Sequence, residues 1–112
     1  VVLGHSGCGA VAATLDHIDR PLAARSANLS AIVDRIRPAI QILFMTELRN
    51  QPEQLMQLAV RANVRASVNP LRHSSQILER MVQDGDLVVV GAEYSLETGE
   101  VAFFEGVPQE GE

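Results

Sequence analysis

The sequence predicts an α/β fold: part of a parallel sheet, covered by helices, with an edge strand towards the C-terminal end. Two short apolar runs, Val1-Val2-Leu3 and Leu87-Val88-Val89-Val90, read as strands and stand far apart in the chain. Helical patterns occupy most of the sequence between them, and a third run, Val101 to Phe104, follows a turn. Strand, helices, strand and edge strand in that order make an α/β layer structure with too few strands to complete a sheet. At least one more strand is expected, from upstream sequence or from a partner.

Taken in order, Val1 to Leu3 predicts a short buried strand, leading into the loop Gly4-His5-Ser6-Gly7-Cys8-Gly9. Ala10 to Ile18 predicts a helix, since alanine and leucine are good helix formers, and Asp19-Arg20-Pro21 ends it. After a polar stretch around Arg25 to Asn28, residues Leu29, Ile32, Val33, Ile36, Ile40 and Leu43 recur at helical spacing and mark one apolar face. Pro38 lies inside that pattern and is expected to kink or divide the helix, because proline removes a backbone donor and crowds the preceding turn.

Pro52 reads as the first residue of a helix running through Leu55, Leu58, Ala59, Ala62 and Ala66. Asn69-Pro70 repeats the start signal ahead of Leu71, Ile77, Leu78 and Met81, and Gly85 is expected to cap that helix. Leu87 to Val90 is apolar at every position, as a strand covered on both faces would be. Tyr94 to Gly99 reads as a turn into the edge strand, and Pro108 to Glu112 as a frayed tail. Met45 and Met56 read as core filler, and Arg61, Arg65 and Arg72 as a solvated face.

Composition narrows the function classes. Fourteen acidic residues against nine Lys and Arg give a net charge of −5, and no basic cluster is present, so nucleic acid is not an expected partner. The longest apolar runs, such as Ile42 to Met45, fall far short of the roughly 20 residues that cross a bilayer, so no membrane contact is expected of this segment. Cys8 is the single cysteine, which excludes an internal disulfide and fits a reducing, cytoplasmic compartment. A strand beginning on the first residue, which is not Met, suggests that the sequence starts inside a longer one.

The chemistry concentrates in Gly4 to Gly9. Imidazole and thiolate are the ligands zinc prefers, and two residues between His5 and Cys8 let one tight glycine-rich loop aim both at one ion. Zinc sites draw three or more ligands from protein, so this pair is half a site. On spacing alone, a loop histidine and a packed cysteine is the simpler reading. Gly4-His5-Ser6-Gly7 also begins like the nucleophile elbow of a serine hydrolase, although Cys8 stands where the closing glycine belongs. The later histidines that could complete a triad, His17 and His73, lie in helical patterns. Gly7-Cys8-Gly9-Ala10-Val11-Ala12 matches Gly-x-Gly-x-x-Ala, but that dinucleotide fingerprint needs a strand after its helix, and more helix follows here.

Gly4-His5-Ser6-Gly7-Cys8-Gly9-Ala10-Val11 resembles the second zinc motif of the β-class carbonic anhydrases. Ala62 to Arg65 and Leu71 to Leu78 resemble the family's next helices, and Gly85 to Gly99 its final strand and turn. The resemblance implies that residues 1–107 form the C-terminal part of such a domain, with 108–112 a tail. It implies a zinc-dependent lyase that hydrates carbon dioxide reversibly to bicarbonate, zinc making hydroxide accessible near neutral pH. It further implies that His5 and Cys8 are zinc ligands and that Gly9 brings a backbone N–H towards substrate, a position that a helix-start glycine explains equally well. Tyr94 resembles a position that lines a regulatory bicarbonate pocket in some members, with a packing tyrosine the simpler reading. A homodimer or higher homo-oligomer is implied as well. The family's third ligand, a cysteine in a Cys-x-Asp-x-Arg motif, has no counterpart in this chain. The chain by itself is therefore expected to bind zinc poorly and to be inactive. A non-catalytic regulatory domain keeping a relict zinc loop is the alternative, and a serine hydrolase a more distant one.

Overall fold

A computed structural model describes residues 1–18 and 27–108. The expected helix stop at Asp19 to Pro21, the first half of the polar stretch Arg25 to Asn28, and the tail beyond Pro108 lie outside the described residues. The elements are β1 (Val2–His5), α1 (Gly9–His17), α2 (Ala27–Phe44), a short 3-10 turn (Glu47–Asn50), α3 (Pro52–His73), α4 (Gln76–Gln83), β2 (Gly91–Tyr94) and β3 (Val101–Glu105). The chain divides into two compact units, one of Val1–Ser6 with Val64–Glu112 and one of Gly7–Asn63.

The first unit holds a three-stranded sheet in the order β1-β2-β3. β1 and β2 run parallel and β2 and β3 antiparallel, so the sheet is mixed and β3 is the expected edge. Val64, Val68 and Val89 form the buried core of this unit, with Val2, Val82, Leu87 and Phe104 packed around it. Gly91 permits this packing: a Cβ there would stand 2.9 Å from Val64 Cγ1 and 3.1 Å from Glu105 Cβ. The second unit is helical, with Val11, Ile36, Ile40, Ala59 and Val60 at its centre and Leu15, Leu43 and Met56 against them. Thr14 is fully buried there and is satisfied within α1, its Oγ1 donating to the Ala10 carbonyl at 2.8 Å.

The structure corrects several expectations. Pro38 does not divide α2, which is continuous from Ala27 to Phe44. Val33 and Ile36 before it and Ile40 after it are all buried, so packing on both sides holds the helix through the proline. Asn69-Pro70 does not start a helix either, because α3 runs through Pro70 to His73. Its last turn is tied down by Arg72, whose Nη2 donates to the Val89 carbonyl at 2.7 Å. The true start of α4 is Ser75, whose hydroxyl accepts from the Leu78 amide. The buried face of α3 is Leu55, Ala59, Val60, Val64 and Val68, while Ala66 is exposed.

Gly85 terminates α4 as expected. Its φ of +80° suits glycine, and Gly85 N to Val82 O with Asp86 N to Met81 O forms a Schellman pair. The strand expected at Leu87 to Val90 begins later, at Gly91, although Val90 O still accepts from Val2 N. The Val89 carbonyl is taken by Arg72 rather than by a ladder, and Val88 is exposed, so the run is not covered on both faces. Val1 and Leu3 are also exposed, so β1 is not the buried strand expected. Met45 is exposed, unlike Met56.

The three arginines are not simply a solvated face: Arg65 is exposed, but each has a partner. Arg72 bonds Glu105 at 3.2 Å as well as Val89 O, and Arg65 reaches the same carboxylate at 3.4 Å while lying 5.0 Å over the Phe104 ring. Arg61 has a partner of its own.

Candidate metal centre

β1 ends on His5, at the carboxyl end of a strand parallel to β2, and its register partner on β2 is Tyr94. Carboxyl ends of parallel strands are where open α/β sheets place their ligands. The His5 side chain is exposed, and its Nδ1 lies 2.8 Å from the Ser6 carbonyl oxygen. A carbonyl can only accept, so this bond exists only with the proton on Nδ1. That leaves the Nε2 lone pair of the neutral ring free to bind a metal. Metal-binding histidines commonly direct their second nitrogen to a backbone carbonyl in this way.

Ser6 is itself anchored in the sheet unit. Its amide donates to the Tyr94 carbonyl at 2.9 Å, and its Oγ accepts from the Leu96 amide at 2.9 Å. Gly7 then takes φ +64°, a left-handed conformation that other residues resist, and the chain enters α1.

Cys8 is the N-cap residue of α1, with extended backbone angles of φ −60° and ψ 118°. Its carbonyl accepts from Ala12 at 3.0 Å, opening the helix. Its side chain makes no cap hydrogen bond, so Sγ is not committed to the helix amides. The thiol is free and half-buried, against the core of the helical unit. Gly9 follows as the first helical residue. A Cβ there would meet nothing within 4 Å and φ is not positive, so neither packing nor backbone conformation within the described chain demands glycine.

His5 and Tyr94 thus belong to the sheet unit, and Cys8 and Gly9 to the helical unit. The donors present, one imidazole with its metal-binding nitrogen free and one uncommitted thiol, are of the type that suits zinc. Among the described residues no three His, Cys, Asp or Glu side chains gather as a metal cluster, so the donor set fits zinc in kind and falls short in number. Tyr94 is exposed, with its hydroxyl beside Gly99.

A model of the family described as "Carbonic anhydrase" matches the sequence over residues 1–101. The chain belongs to the β-carbonic anhydrase family. Its fold is similar to that of the β-carbonic anhydrase CcaA, at 26% identity and a TM-score of 0.71, covering 98% of this chain and 51% of that one. It is also similar to one chain among the structures of two tetrameric β-carbonic anhydrases from the filamentous ascomycete Sordaria macrospora, at 18% identity and a TM-score of 0.73, covering 91% of this chain and 49% of that one. A mutant of the β-carbonic anhydrase CafD of Aspergillus fumigatus gives 20% identity and a TM-score of 0.59, covering 91% and 54%. The chain spans about half the length of these structures. None of the curated proteins compared with it matches.

The residue that sequence reasoning passed over is Ser6, weighed only as a hydrolase nucleophile. Its hydroxyl instead receives the Leu96 amide. The two later histidines face elsewhere: His17 Nδ1 is 2.6 Å from the Ala13 carbonyl oxygen, and the exposed His73 stands near Glu79, its Nδ1 3.9 Å from Oε1. The dinucleotide reading lacks its second strand, since the next described element after α1 is α2.

Proposed function

We propose that His5 and Cys8 are two of the three protein ligands of a zinc ion in an enzyme that hydrates carbon dioxide reversibly to bicarbonate. Family membership supports the reaction. The observation that carries the ligand assignment is the His5 Nδ1 contact with the Ser6 carbonyl, which leaves Nε2 as the nitrogen able to bind metal. Cys8 supports it from the other side of the loop, because its side chain caps no helix amide.

Zinc, when bound, supplies a Lewis acid that activates water for attack on carbon dioxide. The chain's own residues hold and orient. His5 offers a neutral nitrogen with the ring proton kept at Nδ1, and Cys8 offers sulfur from a fixed helix start. Gly9 presents a backbone N–H with open space where a side chain would stand, which suits close approach of a small substrate. Tyr94, the register partner of His5, would contribute its hydroxyl to a second, regulatory bicarbonate pocket.

The third ligand would come from a Cys-x-Asp-x-Arg segment, which this chain does not contain. By itself the chain would therefore hold zinc weakly and turn over little. A homodimer or higher assembly is part of the proposal, and the similar Sordaria macrospora enzymes are described as tetrameric.

The test is zinc stoichiometry and carbon dioxide hydration in the full-length protein and its His5→Ala and Cys8→Ala variants. About one zinc per chain, lost together with activity in both variants, is the expected result. A well-folded, metal-free, inactive parent would overturn the proposal in favour of a regulatory domain with a relict loop.

A further inference from the structure

All three polar groups of Ser6 are engaged. Its carbonyl receives the His5 Nδ1 proton at 2.8 Å, its amide donates to Tyr94 O at 2.9 Å, and its Oγ accepts from Leu96 N at 2.9 Å. The last two bonds run to the end of β2 and to the turn that follows it, the bond to Leu96 spanning ninety residues of sequence. The Leu96 amide has no place in the sheet ladder, because the pairing of β2 with β3 ends at Tyr94 opposite Val101. A hydroxyl at position 6 therefore accepts from a donor that the ladder leaves over and anchors its own residue at the same time. The residue so fixed carries, on the Ser6–Gly7 peptide that follows, the oxygen that selects the His5 tautomer and limits rotation of the ring.

From this geometry we infer that Ser6 is a positioning residue: it clasps the loop to the Tyr94–Leu96 turn and thereby holds His5 with Nε2 ready for metal. The inference rests on the reading of His5 as a zinc ligand. An alanine at position 6 keeps the amide anchor to Tyr94 and loses only the Leu96 bond. The Ser6–Gly7 peptide becomes freer to tilt, and its carbonyl no longer holds Nδ1 in one direction. Partners that orient metal-binding histidines typically matter by about 10- to 100-fold in metal affinity, and losing one of two anchors belongs at the lower end.

The experiment measures zinc affinity, by competition with a chromophoric chelator, in the full-length wild type and in Ser6→Ala, Leu96→Pro and the double variant. Leu96→Pro removes the donor while leaving Ser6 in place, and proline suits the second position of a turn. Each single variant should bind zinc about tenfold more weakly, and the double variant no more weakly than either. The visible absorption of the cobalt-substituted protein should change in all three, as the histidine moves in the coordination shell. Zinc affinity within about twofold of wild type in Ser6→Ala, with an unchanged cobalt spectrum, overturns the clasp. Losses that multiply in the double variant overturn it as well. His5→Ala separates the clasp from the ligand assignment: if it keeps full zinc affinity, the ligand assignment fails; if it loses zinc while Ser6→Ala does not, only the clasp fails.

Discussion

Gly106→Ala should be among the most damaging single-methyl additions in this protein. Gly106 follows β3 and takes φ +70°, where a side chain costs about 1 kcal/mol from backbone conformation alone. Steric conflict costs more. A Cβ at this position would stand 2.6 Å from the Val89 carbonyl oxygen and would run into Arg72 Nη2, the group that donates to that same oxygen. The guanidinium would be driven off, and its end could swing away while the backbone oxygen could not. Arg72 is 21% exposed, so its bonds to Val89 and Glu105 are only partly replaced by water. Losing a charged donor from a buried carbonyl costs about 1.5–3 kcal/mol. We therefore expect Gly106→Ala to destabilise by about 3 kcal/mol or more.

Gly85→Ala is the internal control. It has a similar φ of +80°, and a Cβ there would meet nothing within 4 Å, so only the backbone cost of about 1 kcal/mol applies. Urea unfolding followed by far-ultraviolet circular dichroism measures both. Equal losses in the two variants would refute the reasoning, because the contact with Arg72 and Val89 would then contribute nothing.

Two further outcomes follow from burial and capping. Ile40 is fully buried and Ile42 is 72% exposed, so Ile40→Ala should cost about 2–5 kcal/mol and Ile42→Ala no more than about 0.5, read from the same unfolding curves. Ser75→Ala should cost about 1 kcal/mol and speed hydrogen exchange at the Leu78 amide, whereas Ser75→Asp, which keeps an accepting oxygen, should leave both near wild type.

Much of the architecture was legible from local pattern. Pro52 starts α3 and Gly85 stops α4, because each is decided by a residue's own backbone chemistry, and the Val101 run is an edge strand after a turn. Reading failed where a tertiary contact overrides such chemistry. Pro70 carries a start signal, yet helical packing through Val64 and Val68 and the anchoring of Arg72 carry α3 past it. Leu87 to Val90 is strand-like in composition, but the Val89 carbonyl is claimed by a side chain seventeen residues earlier. In the candidate centre, His5 and Cys8 were singled out not by their spacing, which zinc's ligand preferences only permit, but by the run Gly4 to Val11 and the later segments that resemble the family. Ser6 was not, since its partner is Leu96, and nothing in a serine's neighbours in sequence reports an orphan amide ninety residues on.

The central claim is that one nitrogen from His5 and one sulfur from Cys8 bind the same zinc ion. Zinc K-edge X-ray absorption on the full-length protein, compared with its Cys8→Ala and His5→Ala variants, tests this most directly. We predict imidazole nitrogen at about 2.0–2.1 Å and sulfur at about 2.3 Å in the parent, with sulfur scattering reduced by Cys8→Ala and imidazole scattering lost in His5→Ala. Unchanged nitrogen and sulfur shells in both variants would contradict the claim and place the metal elsewhere.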